Sequence, residues 1–267
     1  MQCFCVNVRE RATEFGFMPS LQLYLLDGKE PRPLVIIVPG GGYEFVCVEE
    51  DGDKTALQYN AAGFHAAVLN YCVEPHHFPE PQLDLALSIK LLREHATEWG
   101  IHKDRIAVCG FSAGAHLCAS LSTLWNHEKL FEAEDIRTEL HKPNACILFS
   151  AILTTRLGHC KAFLLDHAGA DTPENLELVA CDKQVNPGTP PTFLYSTFED
   201  KLTNVENVLY YGEALSQNNV PFEMHVFPKG GHCAPWCNSV TWAKPPAGRN
   251  YKPIKLSIEW LVELFQL

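Results

Sequence analysis

This 267-residue chain is as informative for what it lacks as for what it holds. No apolar run approaches the roughly 18 residues of a membrane-spanning helix, and a stretch such as LVIIV at 34–38 has the length of a core strand. The N-terminus, MQCFCVNVRERATEF, has no basic segment leading into an apolar one, so no secretory signal is read and a cytoplasmic location is expected. Basic charge is scarce. Lys and Arg number 21 against 32 Asp and Glu, a net charge of −11, and such a surface argues against nucleic-acid or anionic-membrane partners. Neither G-K-[ST] nor G-x-G-x-x-G occurs, so the glycine-rich stretches do not read as phosphate cradles. Repeats, low-complexity tracts and Ser/Gly linkers are absent too, and residues 1–267 read as one domain. No pair of carboxylates is marked out as a glycosidase acid and base. His232, Cys233 and Cys237 form an isolated H-C-x3-C without a second ligand pair, so no metal is expected.

Cysteine is the residue in excess. The count of 11 is odd, and without a secretory signal it reads as reduced thiols, not a disulfide framework. Cys3 and Cys5 alternate within a strand pattern and are expected to pack.

Alternation organises the rest. Runs rich in β-branched and aromatic residues at 3–8, 21–26, 34–38, 65–71, 106–109, 145–149, 192–196 and 222–227 read as strands. Several are continuously apolar, which suits central parallel strands covered on both faces. Helical patterns fall between them at 81–99, 112–124 and 205–215, and Leu256, Trp260, Leu261 and Leu264 close the chain at helical spacing. Pro81 suits a first helical turn, and Gly100 suits the position just past a helix end. The expected fold is α/β, a mostly parallel sheet of these eight strands with helices on both faces. Residues 151–190 break the rhythm and read as an insertion over one end of the sheet, a cap or lid.

The chemistry concentrates in four places. Gly110-Phe111-Ser112-Ala113-Gly114 follows the strand IAVC and precedes a helical run, the context in which G-x-S-x-G presents a nucleophilic serine on a sharp turn. Pro39-Gly40-Gly41-Gly42-Tyr43 follows LVIIV, and its glycines let backbone amides turn toward a developing negative charge. Asp200 follows the strand TFLYS and His232 follows MHVF. Serine needs a base to take its proton, and a carboxylate to fix that base's tautomer. Ser112, Asp200 and His232 occur in that order, each at the C-terminal end of an expected strand, where open α/β sheets place their sites. Glu199 is the rival acid. His116, one turn beyond Ser112, reads as a packed helix residue; His76, His77, His159 and His167 fall in loop-like regions and read as solvent-exposed.

The segments PGGGY, LNYCVEP, PEPQLD, WGIHKDRIAVCGFSAGAHL, PPTFLYSTFEDKLTNVEN and EMHVFPKGGH together resemble the α/β-hydrolase esterases. The closest group is the small acetyl-xylan-esterase-like carbohydrate esterases of the BD-FAE type. The likeness runs from about Leu21 to the C-terminus. It implies an α/β-hydrolase fold, with Ser112 as nucleophile, His232 as base and acid, and Asp200 orienting His232. The amides of Ala113 and of Gly41 or Gly42 would form the oxyanion hole, and Tyr43 would contact substrate. It also implies cofactor-free removal of short acyl groups, acetyl foremost, from sugar hydroxyls such as those of acetylated xylo-oligosaccharides. Relatives of this type associate, so a homo-oligomer is an expectation. Three departures stand out: Pro39 replaces the usual histidine of H-G-G-G, Thr203-Asn204 replaces a common V-P, and Cys233 replaces the glycine after the catalytic histidine. They bear on the leaving-group pocket, not on the triad. Rival readings are an arylformamidase, a general short-chain carboxylesterase, a small-peptide hydrolase and a non-catalytic binding protein of the same fold.

Overall fold

A computed structural model describes residues 1–131, 138–168, 172–233 and 252–267. Among the described residues eight strands form one sheet: β1 (Gln2–Asn7), β2 (Ser20–Leu25), β3 (Arg32–Val38), β4 (His65–Asn70), β5 (Ile101–Phe111), β6 (Ala145–Phe149), β7 (Thr192–Thr197) and β8 (Phe222–Phe227). Their order is β1-β2-β4-β3-β5-β6-β7-β8. β1 pairs with β2, and β2 with β4, antiparallel, and every pairing from β4 across to β8 is parallel. The chain leaves β3 in one direction to form β4 and returns past it to form β5. The crevice at the C-terminal ends of β3 and β5 is therefore the switch point at which such sheets hold ligands.

The continuous apolar runs become strands with two buried faces, as their lack of alternation requires. Leu34, Ile36 and Val38 point into one core layer, and Val35 and Ile37 into the other. The first layer is covered by α2 (Glu80–Glu94) and α4 (Ala113–Leu124), with α10 (Glu206–Gln217) alongside. The second is covered by α1 (Lys54–Ala61) and α11 (Pro253–Phe265). Each fully buried Leu, Ile or Phe contributes about 1.5–3 kcal/mol.

The helix expected over 81–99 is divided. His95 (φ −93°, ψ 9°) closes α2, and α3 (Ala96–Trp99) ends at Gly100 in the left-handed region, φ 65°. The imidazole of His95 stacks on Trp99 at 4.4 Å, which rewards the break. Between α4 and β6 lie α5 (Glu128–Phe131) and α6 (Thr138–His141). Residues 151–190 are largely helical, with α7 (Gly158–Ala168), α8 (Pro173–Val179) and α9 (Cys181–Gln184). Ile152, Cys160, Leu164 and Val179 form a small apolar cluster of their own there.

Cys3 and Cys5 are exposed, contrary to expectation. On β1 the alternate residues Phe4 and Val6 take the inward face, and period-two alternation turns the thiols outward. Among the described residues the cysteines are free, and no helix is long and apolar enough to cross a membrane.

Candidate active site

β5 delivers Ser112 and α4 begins immediately after it. The residue sits at φ 52°, ψ −116°, a conformation that strains any L-residue and lifts the side chain out of the sheet. The flanking glycines explain how the turn closes. A Cβ on Gly110 would lie 2.3 Å from the carbonyl oxygen of Gly114, and a Cβ on Gly114 would lie 2.1 Å from that of Val38. Strand and helix approach so closely that neither position admits a side chain.

Three side chains form one hydrogen-bonded line. Ser112 Oγ is 2.8 Å from His232 Nε2, and His232 Nδ1 is 2.9 Å from Asp200 Oδ2. Asp200 is only 1 % exposed, so its four lone-pair directions must be met within the protein. They are met by His232, by the amides of Leu202 (2.9 Å) and Thr203 (3.0 Å), and by Thr203 Oγ1 (2.8 Å). Burial opposes ionisation of Asp200, but these donors and His232 outweigh it and hold the carboxyl below the usual aspartate value. With Nδ1–H donated to an ionised carboxylate, Nε2 is left to accept the Ser112 hydroxyl proton. Glu199 faces elsewhere: its carboxylate accepts from Lys229 Nζ (2.6 Å) and from the Gly230 amide (3.1 Å).

The glycine loop after β3 borders Ser112. Gly41 (φ 133°) needs a residue without a Cβ, because one would fall 2.0 Å from the carbonyl oxygen of Phe45. Gly42 is also at positive φ. The loop is pinned throughout. Pro39 accepts from Tyr71 Oη (2.8 Å), Gly40 donates to Asp51 Oδ2 (2.7 Å), and the carbonyl of Gly40 accepts from the Cys47 amide (3.0 Å). Ala113 opens α4, so its amide belongs to the first turn, which lacks intrahelical acceptors and carries the positive end of the helix dipole.

Gly40, Gly41, Gly42, Ser112 and His232 line a cavity of about 610 Å³. Its other walls are mainly Phe45, Ile152, Phe163 and Leu202, with Cys47, Cys160 and Cys233 and the acids Glu44, Glu50 and Asp51. Ile152, His159, Cys160 and Phe163 come from the 151–190 segment, so that segment supplies one wall.

Tyr43, expected to contact substrate, is turned away from this cavity. It is 5 % exposed, its hydroxyl donates to His116 Nδ1 at 2.7 Å, and its ring packs against Tyr71. His116 is the packed helix residue it was read to be, donating Nε2–H to the Val179 carbonyl at 2.9 Å. His76 is buried, not exposed: Val73 O and Thr13 Oγ1 take its two ring nitrogens. His77 and His159 are exposed, His159 at the cavity wall, and His167 lies within α7. Cys237 lies outside the described residues; among those described, no group of His, Cys, Asp and Glu is arranged to hold a metal ion.

Three residues of the cavity carried no motif, Phe45, Asp51 and Leu202, and Thr203, which supports Asp200, was marked only as a departure from the common V-P. The acidic run VEEDGD looks like a solvated surface, yet it forms a π-helical turn, Val48–Asp53, that buries Asp51. Only its position just downstream of the glycine loop hinted at a role.

Comparison with known proteins follows the same lines. The family model described as BD-FAE matches residues 21–215. The chain is similar to endo-1,4-beta-xylanase B of Butyrivibrio fibrisolvens, 32% identical over 226 residues, covering 82% of this chain and 35% of that protein. It is similar to an acetylxylan esterase of Xylanibacter ruminicola, 26% identical over 205 residues, covering 74% of this chain and 40% of that one. The chain thus spans well under half the length of these curated relatives. Among solved structures, the acetyl ester-xyloside bifunctional hydrolase from Caldicellulosiruptor lactoaceticus superposes with a TM-score of 0.84 at 28% identity, covering 98% of this chain and 96% of its own.

Proposed function

We propose, starting from the fact that this chain belongs to the BD-FAE family of α/β-hydrolases, that it is a serine ester hydrolase removing acetyl groups from sugar hydroxyls. The observation that carries the reading is the unbroken line from Ser112 through His232 to the buried Asp200, its first two members lining a cavity together with the glycine loop. Ser112 Oγ attacks the ester carbonyl while His232 Nε2 takes its proton. Asp200 keeps Nδ1 protonated and steadies the imidazolium. The amides of Ala113 and of Gly41 or Gly42 meet the oxyanion; one such donor is worth about 10²–10³ in kcat. His232 then protonates the leaving alkoxide, and water repeats the sequence on the acyl-enzyme. No metal ion enters these steps. Free thiols at Cys47, Cys160 and Cys233 along the cavity fit a reducing, cytoplasmic setting.

The acetylated-sugar assignment draws on the acetylxylan esterase and the acetyl ester-xyloside hydrolase as relatives. One observation favours a second reading, a general short-chain carboxylesterase: Phe45, Ile152, Phe163 and Leu202 make the walls apolar, which suits alkyl or aryl esters. The test is hydrolysis of p-nitrophenyl acetate, p-nitrophenyl butyrate and acetylated xylo-oligosaccharides by the wild type and Ser112→Ala. Loss of roughly 10⁴–10⁶ in kcat in the variant supports the serine mechanism. Preference for the oligosaccharide supports the sugar assignment, and preference for the butyrate ester supports the second reading. Equal slow rates for both proteins overturn both.

A further inference from the structure

Asp51 is a carboxylate on the active-site cavity for which the triad has no use. It is 5 % exposed, and Oδ2 accepts the Gly40 amide at 2.7 Å. The surrounding geometry is tight. A Cβ on Gly40 would lie 3.1 Å from Asp51 Oδ2 and 3.2 Å from the Ser112 Cβ, so Gly40 is sandwiched between the carboxylate and the nucleophile. A π-helical turn makes this approach, and such turns are rare and recur at functional sites. Gly52 lets the turn press on the sheet, because a Cβ there would lie 2.5 Å from Val68 Cγ1.

The hydrogen bond acts on the residue immediately before the two glycines whose amides would meet the oxyanion. Gly40 is held at both of its peptides: Asp51 accepts the N–H of the Pro39–Gly40 peptide, and the Cys47 amide donates to the carbonyl of the Gly40–Gly41 peptide. Fixing that peptide limits the rotation of the next, and hydrogen bonds to a developing oxyanion are worth most when no reorganisation is needed.

We propose that Asp51 is a positioning residue for ester hydrolysis, its carboxylate holding the Gly40 amide and thereby the aim of the Gly41 and Gly42 amides. This rests on the serine-esterase reading above. The charged and titratable groups around Asp51 are Glu50 and Lys54 on its own segment, His232 and Cys233 beyond β8, Tyr71 beyond β4, Cys109 on β5, and Cys47. Burial first, with Glu50 adding to it, pushes the Asp51 carboxyl up to about 6 against the pull of the Gly40 amide, His232 and Lys54. Asp51 and a protonated His232 attract each other, so loss of the carboxylate charge disfavours the imidazolium.

The experiment compares the wild type, Asp51→Ala and Asp51→Asn on p-nitrophenyl acetate across pH. Asp51→Ala is expected to lose about 10²-fold in kcat with KM within about threefold, as for a lost oxyanion donor. Asp51→Asn keeps an acceptor for the Gly40 amide. It is expected to recover most of that loss, with the acid limb of kcat/KM displaced to lower pH. An Asp51→Ala enzyme with kcat within about twofold of wild type overturns the proposal, as does an Asp51→Asn enzyme impaired as deeply as the alanine variant. Should Asp51→Ala not fold, Asp51→Leu, near in volume and without an acceptor, takes its place beside Asp51→Asn: a loss of about 10²-fold in kcat supports the proposal and a kcat within about twofold of wild type overturns it. A wild type without Ser112-dependent turnover overturns the esterase reading instead, which separates the two failures.

Discussion

The two halves of the site are held by different means. Ser112 and the glycine loop grow from β5 and β3 at the centre of the sheet, where every residue of the segment 106–111 is buried. Steric contact between backbones fixes the serine turn, while Tyr71 and Asp51 pin the glycine loop beside it. His232 follows β8, an edge strand whose Phe222 and Val226 are 38% and 41% exposed. Side-chain hydrogen bonds fix that half: Thr197 Oγ1 donates to the Gly230 carbonyl at 2.6 Å, Glu199 ties down Lys229, and Asp200 and Thr203 hold the imidazole. Volume should therefore matter most at the turn around Ser112 and polarity most around His232.

The sharpest way to break that contrast is Asp200→Asn, a change of polarity at constant volume. The amide turns a donor toward Nδ1, and the imidazole adopts the tautomer that cannot accept from Ser112. A fall of about 10⁴ in kcat is expected. Glu199→Gln, one residue away, should leave kcat within about twofold. Equal losses at the two positions would show that the histidine half does not depend on the bond to Asp200. Steady-state kinetics at a pH on the plateau reads both.

The converse test is volume at constant polarity. Gly114→Ala drives a Cβ to 2.1 Å from the Val38 carbonyl and 2.3 Å from that of Pro39, and neither backbone atom can withdraw without moving β3. We expect a loss of about 3 kcal/mol or more in unfolding free energy. The same substitution at Gly231, beside His232, meets nothing within 4 Å and should cost no more than about 0.5 kcal/mol. Urea denaturation of the two variants in parallel checks the pair; comparable destabilisation would erase the distinction between centre and edge.

That distinction also governs what could be read from residues alone. The central strands announce themselves by continuous apolar runs. Ser112 stands at the end of such a strand and His232 follows the edge strand β8, so both positions were legible, and Asp200 was separated from Glu199 by a modest pattern that geometry makes sharp. What stayed hidden depends on side-chain direction. Tyr43 adjoins the glycines in sequence, but its backbone at φ 63° sends the ring into the core beside His116 while Phe45 takes the cavity wall. β5 begins at Ile101, although the polar stretch His102–Arg105 obscures its first half. Asp51 was invisible for a related reason. An acidic run signals solvent by composition, and only the π-helical turn rotates one of its members inward.

Asp51 and Asp200 sharpen the comparison once more, because burial acts on both and only one is compensated. Asp51 has its folded value raised from 3.8 to about 6, while the donors around Asp200 depress its own. The signs follow by linkage. A raised carboxyl contributes stability that is present below its unfolded value and lost as pH rises through about 6. A depressed one contributes stability that is present above its unfolded value and lost as pH falls through the folded one. Replacing Asp51 by Asn, which keeps the acceptor for Gly40, should therefore stabilise the protein at about pH 7 relative to about pH 4, by up to about 3 kcal/mol. Replacing Asp200 by Asn should do the reverse, its cost growing as pH rises through the depressed folded value toward the unfolded one and level above it. Urea unfolding of both variants and wild type across that range measures the two slopes. Opposite slopes would mean that the serine half carries an ionisation cost at neutral pH that the histidine half does not; parallel curves would remove Asp51 from that account.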